Sequence, residues 1–299
     1  MTATDRRRGE AAMPAAEADR PTSRTPGYTH YEGANLSYAT TFPERWRRGV
    51  IRTMEWATGK ARLLALVRRF EREGVDWGQA FFPHALDVMG IDLLTPPDRI
   101  ARIPQSGPVV VVANHPHGLV DGLVLAVLIG QARTDYRILT RSLLTGVPEV
   151  EQFMIPVPFP HEPDARARNL DMRRRAMRQL QAGGVLALFP AGGVAHSETW
   201  FGPAVEAPWS PFTAKLIRTS GATVVPVRFT GANSRLYQIA NLVSPVLRQG
   251  LLLHEVVHAL DKPQAPEVGV PIAPEEWRPH AENATAFVEW LRGRTLGSL

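Results

Sequence analysis

The chain of 299 residues contains no cysteine. That excludes disulfides, thiolate metal sites and a cysteine nucleophile, and it fits a reducing compartment. No apolar run approaches the roughly 18 residues that a membrane-spanning helix needs. The opening stretch MTATDRRRGE leads into no apolar segment, so no secretory leader is expected. These absences predict a cytoplasmic protein whose membrane contact, if it has any, is peripheral. Residues 1–42 also lack apolar periodicity and are rich in Ala, Pro, Thr, Glu and Arg, the composition of a disordered tail.

What the chain does have is positive charge. A net charge of +5 and a pI near 9.9 favour an anionic partner, either nucleic acid or an anionic membrane surface. Much of the excess falls where helical periodicity begins, in residues 43–73. Trp46, Val50 and Met54 recur at helical spacing, then Leu63, Leu66, Val67 and Phe70. Gly59 separates two helices. Between Arg45 and Arg72 nine basic residues face two acidic ones, Glu55 and Glu71. Such a pair suits the headgroup layer of a membrane. It equally suits a solvated basic face packed on a core by its other side, and a helix hairpin can do both. For nucleic acid no recognised module is visible, and the arginines flank an apolar stripe instead of interleaving with stacking aromatics, so no nucleic acid is expected.

After an amphipathic helical segment (residues 43–90), ending in a helix and a short strand across WGQAFFPHALDVMGIDL, strands and helices alternate through residues 91–299. GPVVVVAN is a strand without polar alternation, as when helices cover both faces. DGLVLAVLIGQA reads as a helix and DYRILT as a strand. ARNLDMRRRAMRQLQAGG is a helix closed by Gly183 and Gly184, VLALFPAGG a buried strand, PFTAKLIRTSG a helix and TVVPVRFTG a strand. A short strand in DKPQAPEVGVPIAPEEW and a helix in HAENATAFVEWLRGR complete the chain. The class is α/β, a mixed, largely parallel sheet flanked by helices. In such sheets working residues collect where strands end. Three strands here end in unusual chemistry: NHPHGLVDG, FPAGG and VPVRFTGANSR.

The first of these pairs histidine with a carboxylate, which can fix the imidazole tautomer and stabilise the imidazolium of a general base. Asn114-His115 with Asp121, FPAGG at residues 189–193 and VVPV at residues 224–227 resemble the glycerolipid acyltransferases, which include the lysophosphatidic acid acyltransferases. The resemblance runs from about Ile91 to Gly231. Its first motif is most similar to a bacterial subgroup with His-Pro-x-Gly-x-x-Asp-Gly that includes lyso-ornithine-lipid acyltransferase-like proteins. Two departures stand out. Five residues separate His115 from Asp121 where the family has four. Ala191, Gly193 and Val194 stand where the family has Glu, Thr and Arg in a loop that helps hold the acceptor's phosphate.

The resemblance implies a glycerol-phosphate acyltransferase-like fold and transfer of a fatty acyl group from acyl-CoA or acyl carrier protein to a lysolipid hydroxyl. No cofactor or metal is implied, and the enzyme would work at the inner face of the cell membrane. His115 would be the base and Asp121 its partner. Asn114, Gly118, Phe189, Pro190, Ala191, Gly192 and Gly193 would line the substrate site, with Arg228 and Arg235 towards the headgroup. Backbone amides near Gly118 or in the PAGG turn are the candidate oxyanion donors. On an ideal helix His117, not His115, would share a face with Asp121. However, Pro116 biases His115 to an extended conformation and Gly118 permits a turn, so the helix should start near Leu119. The family pattern then selects His115 and leaves His117 a bystander.

A competing motif is His254-Glu255-Val256-Val257-His258, which on a helix would offer two zinc ligands and a general base, the pattern of a zinc hydrolase. A third ligand would come from His280, Glu276 or Glu282. That reading leaves the three strand-end motifs unexplained. Arg141 and Arg168 are open between binding an acyl carrier or phosphate and a solvated role, while His84 and His161 read as surface or packing residues.

Overall fold

The computed structural model describes Tyr31 and residues 36–141, 147–162 and 164–297. Most of the segment expected to be disordered lies outside the described residues. Leu36 to Phe42, assigned to the same tail, instead pack on the helical pair. Ala39 and Leu36 are buried, and the carboxylate of Glu55 accepts from the Ser37 hydroxyl (2.7 Å) and the Tyr38 amide (2.6 Å). No local apolar period marks this stretch, because what holds it is a buried carboxylate on the next helix.

That helix, α1 (Arg45–Thr58), meets α2 (Lys60–Glu73) at Gly59. A Cβ on Gly59 would lie 2.8 Å from the Val257 side chain, so the corner needs glycine for close approach. The chain continues through α3 (Phe81–Val88) and the single turn α4 (Pro97–Ile100). The short strand expected at the end of WGQAFFPHALDVMGIDL shrinks to one bridge, Leu93 to Gln264. The α/β unit is then β1 (Val109–Ala113), α5 (Leu119–Ala132), β2 (Tyr136–Thr140), β3 (Met154–Pro156), α6 (Ala165–Gln181), β4 (Val185–Leu188), α7 (Pro211–Ser220) and β5 (Thr223–Arg228). Three short helices follow, α8 (Arg235–Val243), α9 (Pro245–Gly250) and α10 (Leu252–Ala259). The chain closes with β6 (Glu267–Val268), α11 (Pro274–Trp277) and α12 (Ala284–Leu296).

The six strands lie in the order β3-β2-β4-β1-β5-β6, all parallel except β6. The mixed, mostly parallel sheet read from the sequence is therefore the fold. Every residue of β1 is fully buried. Val109, Val111 and Ala113 face a core built with α5, α3, α2 and α10, while Val110 and Val112 face a second core built with α6, α7 and α12. Two covered faces explain the unbroken valine run, and each fully buried valine contributes roughly 1.5–3 kcal/mol. Because β4, β1 and β5 are parallel neighbours, their C-terminal ends, carrying the three motifs, meet at one edge.

Candidate active site

β1 ends at Ala113, and Asn114 bolts it to β5. Its amide donates to the Phe229 carbonyl (2.8 Å) and accepts from the Phe229 amide (2.7 Å). Both polar groups of Asn114 are thereby committed to the scaffold. The chain then turns at Gly118, whose φ of 84° and ψ of −124° only glycine adopts readily. α5 begins at Leu119, leaving Asp121 in its first turn, where the helix dipole favours a carboxylate.

Asp121 is completely buried and serves both histidines. Oδ2 accepts from His115 Nδ1 (3.0 Å) and from the amides of His117 (2.8 Å) and Gly118 (3.1 Å), while Oδ1 accepts from His117 Nδ1 (2.9 Å). Burial opposes its ionisation, but the hydrogen bonds and charge of the two imidazoles outweigh that and hold its pKa below the usual carboxylate value. His117 is thus no bystander. Its ring meets the same carboxylate as the ring of His115.

Bonding through Nδ1 leaves Nε2 of each ring as the basic atom. The two Nε2 atoms have different surroundings. The His115 ring stacks on Phe189 at the end of β4, with centroids 3.9 Å apart and planes at 21°. His117 Nε2 abuts the loop after β5, where a Cβ on Gly231 would come within 3.0 Å. Gly231 also has φ of 93°, so the position requires glycine twice over.

The backbone of His115 is clasped as well. Its carbonyl accepts from the Ala195 amide (2.9 Å), and its amide donates to Glu206 Oε2 (3.1 Å). Ala195 and Glu206 bracket a hairpin closed by the His196–Val205 bridge. Glu206 is buried, and its other oxygen, Oε1, has no hydrogen-bond partner among the described residues. Burial pushes its pKa up, against the opposing pull of the His115 amide and ring charge. The sequence reading missed Glu206. It lies 91 residues from His115 with no motif spacing to reveal it.

The remaining expected residues divide. Phe189, buried Pro190, Ala191, Gly192 and Gly193 turn beside His115, and the turn is closed by the Gly192 amide on the Phe189 carbonyl (3.0 Å). The Gly118 amide, a candidate oxyanion donor, is spent on Asp121. Arg235 donates to the Gly202 carbonyl (2.8 Å) and props the hairpin. Arg228 points at the end of α12, where its Nη1 would lie 3.1 Å from a Cβ on Gly297.

The zinc motif does fall on a helix, α10, but it is otherwise employed. Buried Glu255 accepts from the Ser234 amide (2.7 Å) and hydroxyl (2.6 Å) at the N-terminus of α8. His254 contacts the Thr58 carbonyl (3.2 Å), and His258 lies beside Lys262 (3.3 Å). Among the described residues no three His, Cys, Asp or Glu side chains converge as a metal site. The carboxylate that would activate water is consumed as a helix brace.

No helix among the described residues is long and apolar enough to cross a membrane. Residues 98–230 match the family model described as Acyltransferase. The crystal structure of the 1-acyl-sn-glycerophosphate (LPA) acyltransferase PlsC from Thermotoga maritima is similar over 88% of each chain at 16% identity, though its TM-score of 0.42 is too low to bear on function. No curated protein matches the chain. The matched segment, a little under half of the chain, holds both histidines, Asp121, Glu206 and the Phe189–Gly193 turn, and the match supports an acyltransferase enzyme.

Proposed function

We propose that the protein moves a fatty acyl group from acyl-CoA or acyl carrier protein to the hydroxyl of a lysolipid, with His115 as general base. The observation that carries this reading is the buried Asp121 carboxylate holding His115 through Nδ1, which leaves Nε2 to accept a proton. The acceptor hydroxyl gives its proton to Nε2 as its oxygen attacks the thioester carbonyl. The tetrahedral intermediate expels the thiolate, which takes that proton from the imidazolium, whose charge Asp121 offsets. No covalent acyl-enzyme is needed. With the Gly118 amide spent on Asp121 and the Gly192 amide on the Phe189 carbonyl, the oxyanion falls to the far side of the Phe189–Gly193 turn, at exposed Gly193, where a Cβ would meet nothing within 4 Å.

The acceptor need not carry a phosphomonoester. The turn has no arginine, and Arg228 and Arg235 are directed elsewhere, which supports a lyso-ornithine lipid or another lysolipid over lysophosphatidic acid. The reaction occurs at the inner face of the cell membrane. α1 turns Trp46 (65% exposed) and Trp56 (58%) outward while Ile51 packs inward, and Arg45 and Arg52 are exposed on the same helix. An apolar outer face flanked by cations is the arrangement that lies in a headgroup layer.

An acyl-transfer assay over a panel of lysolipids with both donors tests the reading. Transfer to a lysolipid lacking a phosphomonoester is expected, and strong activity confined to lysophosphatidic acid overturns the acceptor assignment. Vesicle binding is expected to weaken with salt, at about 1 kcal/mol for each basic residue near the surface, and on replacing Trp46 and Trp56.

A further inference from the structure

α6 carries six arginines, Arg166, Arg168, Arg173, Arg174, Arg175 and Arg178, against a single acidic residue, Asp171. Its inner face is ordinary: Met172, Ala176 and Leu180 pack into the core under β1 and β4. Its outer face is not. Arg166, Leu170, Arg174 and Arg178 follow at four-residue intervals and form one exposed ladder, with Leu170 49% exposed at its second rung. Among the described residues only Arg168 of the six has a carboxylate partner, Glu162. Arg173 lies over the Phe212 ring and Arg175 donates to the Met154 carbonyl. Arg174 and Arg178 are like charges one turn apart, a pairing that destabilises a helix. An unneutralised ladder that weakens its own helix points to a partner that neutralises it.

Two features define that partner. The ladder spans twelve residues, about 18 Å at 1.5 Å per residue, on a convex helix with an apolar residue between its first two arginines. A phosphate group is held in a concave nest of donors, whereas a convex stripe of this length matches an acidic helix of another protein. The second feature is placement. α6 covers the face of the sheet opposite to α2 and α10, on which α1 rests. With the outer face of α1 on a lipid surface, the ladder of α6 is turned towards the aqueous side. α6 leads directly into the parallel strand β4, so its N-terminal rungs, Arg166 and Leu170, stand at the sheet edge that holds His115.

We infer that the outer face of α6 is the docking surface for a small acidic carrier protein that delivers the acyl thioester from the aqueous side. This inference rests on the acyl-transfer reading above and chooses between its two donors. The decisive experiment uses the full-length protein carrying Arg166→Glu, Arg174→Glu and Arg178→Glu together. Purified acyl carrier protein without an acyl group is titrated into wild type and variant, a readout independent of turnover. Binding should weaken at least about tenfold. In turnover assays the KM for acyl-loaded carrier should rise by the same factor at unchanged kcat, while the KM for acyl-CoA and binding to anionic vesicles stay as in the wild type. An equal rise in KM for acyl-CoA, a loss of vesicle binding, or unchanged carrier binding each overturns the inference. Should the triple variant fold poorly, Arg174→Gln with Arg178→Gln, and a salt titration of wild-type carrier binding, decide the same question. Carrier binding indifferent to salt between about 50 and 300 mM rejects it. Absence of acyl transfer to every acceptor would instead count against the enzymatic reading, because carrier binding is measured separately.

Discussion

Two carboxylates in this protein are buried at helix positions beside histidines, and they do opposite work. Asp121, in the first turn of α5, collects two imidazole N–H groups and two amides. Glu255, flanked in sequence by His254, collects one serine, through its amide and its hydroxyl. The difference lies in what each partner retains. An imidazole bound through Nδ1 still offers Nε2, so in the proposed reaction the bond to Asp121 prepares a base. The Ser234 groups are consumed in bracing the start of α8, so the bond to Glu255 prepares nothing. A carboxylate near histidine in sequence can support a base only when the fold turns the imidazole, rather than a scaffold group, onto it.

The sharpest way to break this contrast is at the histidines. His115→Ala should lower the rate of acyl transfer by about 10²–10⁴, the usual worth of a positioned base, while the protein stays folded. His117→Ala removes one donor to Asp121 but leaves the pairing with His115, and about tenfold or less is expected. Rates measured for both variants with one lysolipid and one donor settle the order. A dead His117→Ala beside an active His115→Ala would transfer the base to the ring against Gly231.

Glu255 gives the next largest effect, and in another quantity. Glu255→Ala strands the half-buried Ser234 amide and removes two hydrogen bonds to a buried carboxyl group, a loss of about 1.5–3 kcal/mol of stability. Urea unfolding should report it, while kcat per folded molecule remains that of the wild type. A variant of normal stability and no activity would reverse the two carboxylates' roles.

Much of the Asp121 side of this contrast was legible in the sequence, because its determinants are local. Four valines announced a strand covered on both faces, Pro116 and Gly118 located the turn, and the start of α5 at Leu119 followed from them. The convergence of three motifs followed from parallel strands meeting at one edge. What stayed hidden was tertiary. Spacing read on an ideal helix paired Asp121 with His117 alone, and the turn argument with His115 alone; neither could show that both rings meet the one carboxylate. Nothing near His115 in sequence announces that Glu206 and Ala195 hold its backbone, or that Gly231 makes room for His117. The three-residue strand β3 and the packing of Leu36 to Phe42 also carry no period of their own. Likewise His-Glu-x-x-His reads the same whether its glutamate meets a metal or a serine. Ser234 decides, and it lies 21 residues away.

A smaller effect tests Asp121 by pH. The folded-state pKa of Asp121 is held below its ordinary value by the imidazoles. The unfolded chain therefore takes up this proton first as pH falls. Stability from Asp121 is complete above the ordinary carboxylate pKa and is lost as pH drops through the folded value. Asp121→Asn removes this dependence, so its urea midpoint should fall less steeply than that of the wild type below about pH 4. Parallel acid limbs in the two proteins would mean that the imidazoles do not hold the carboxylate in its charged form.

The smallest expected effect belongs to His258, and its smallness is informative. Its ring lies beside the Lys262 ammonium on the exposed side of α10, 6.4 Å between centroids from that of His254. It touches neither Asp121 nor Ser234. His258→Ala should change stability by no more than about 0.5 kcal/mol, as for a surface site away from caps and cores, and should leave acyl transfer unaltered. His254→Ala loses only the contact with the Thr58 carbonyl at the end of α1, at a cost of about 0.5–1.5 kcal/mol. Both variants should hydrolyse and transfer as the wild type does, with or without added zinc. If either abolishes an activity that zinc restores in the wild type, α10 is a metal helix after all, and Glu255 must leave Ser234 to serve it.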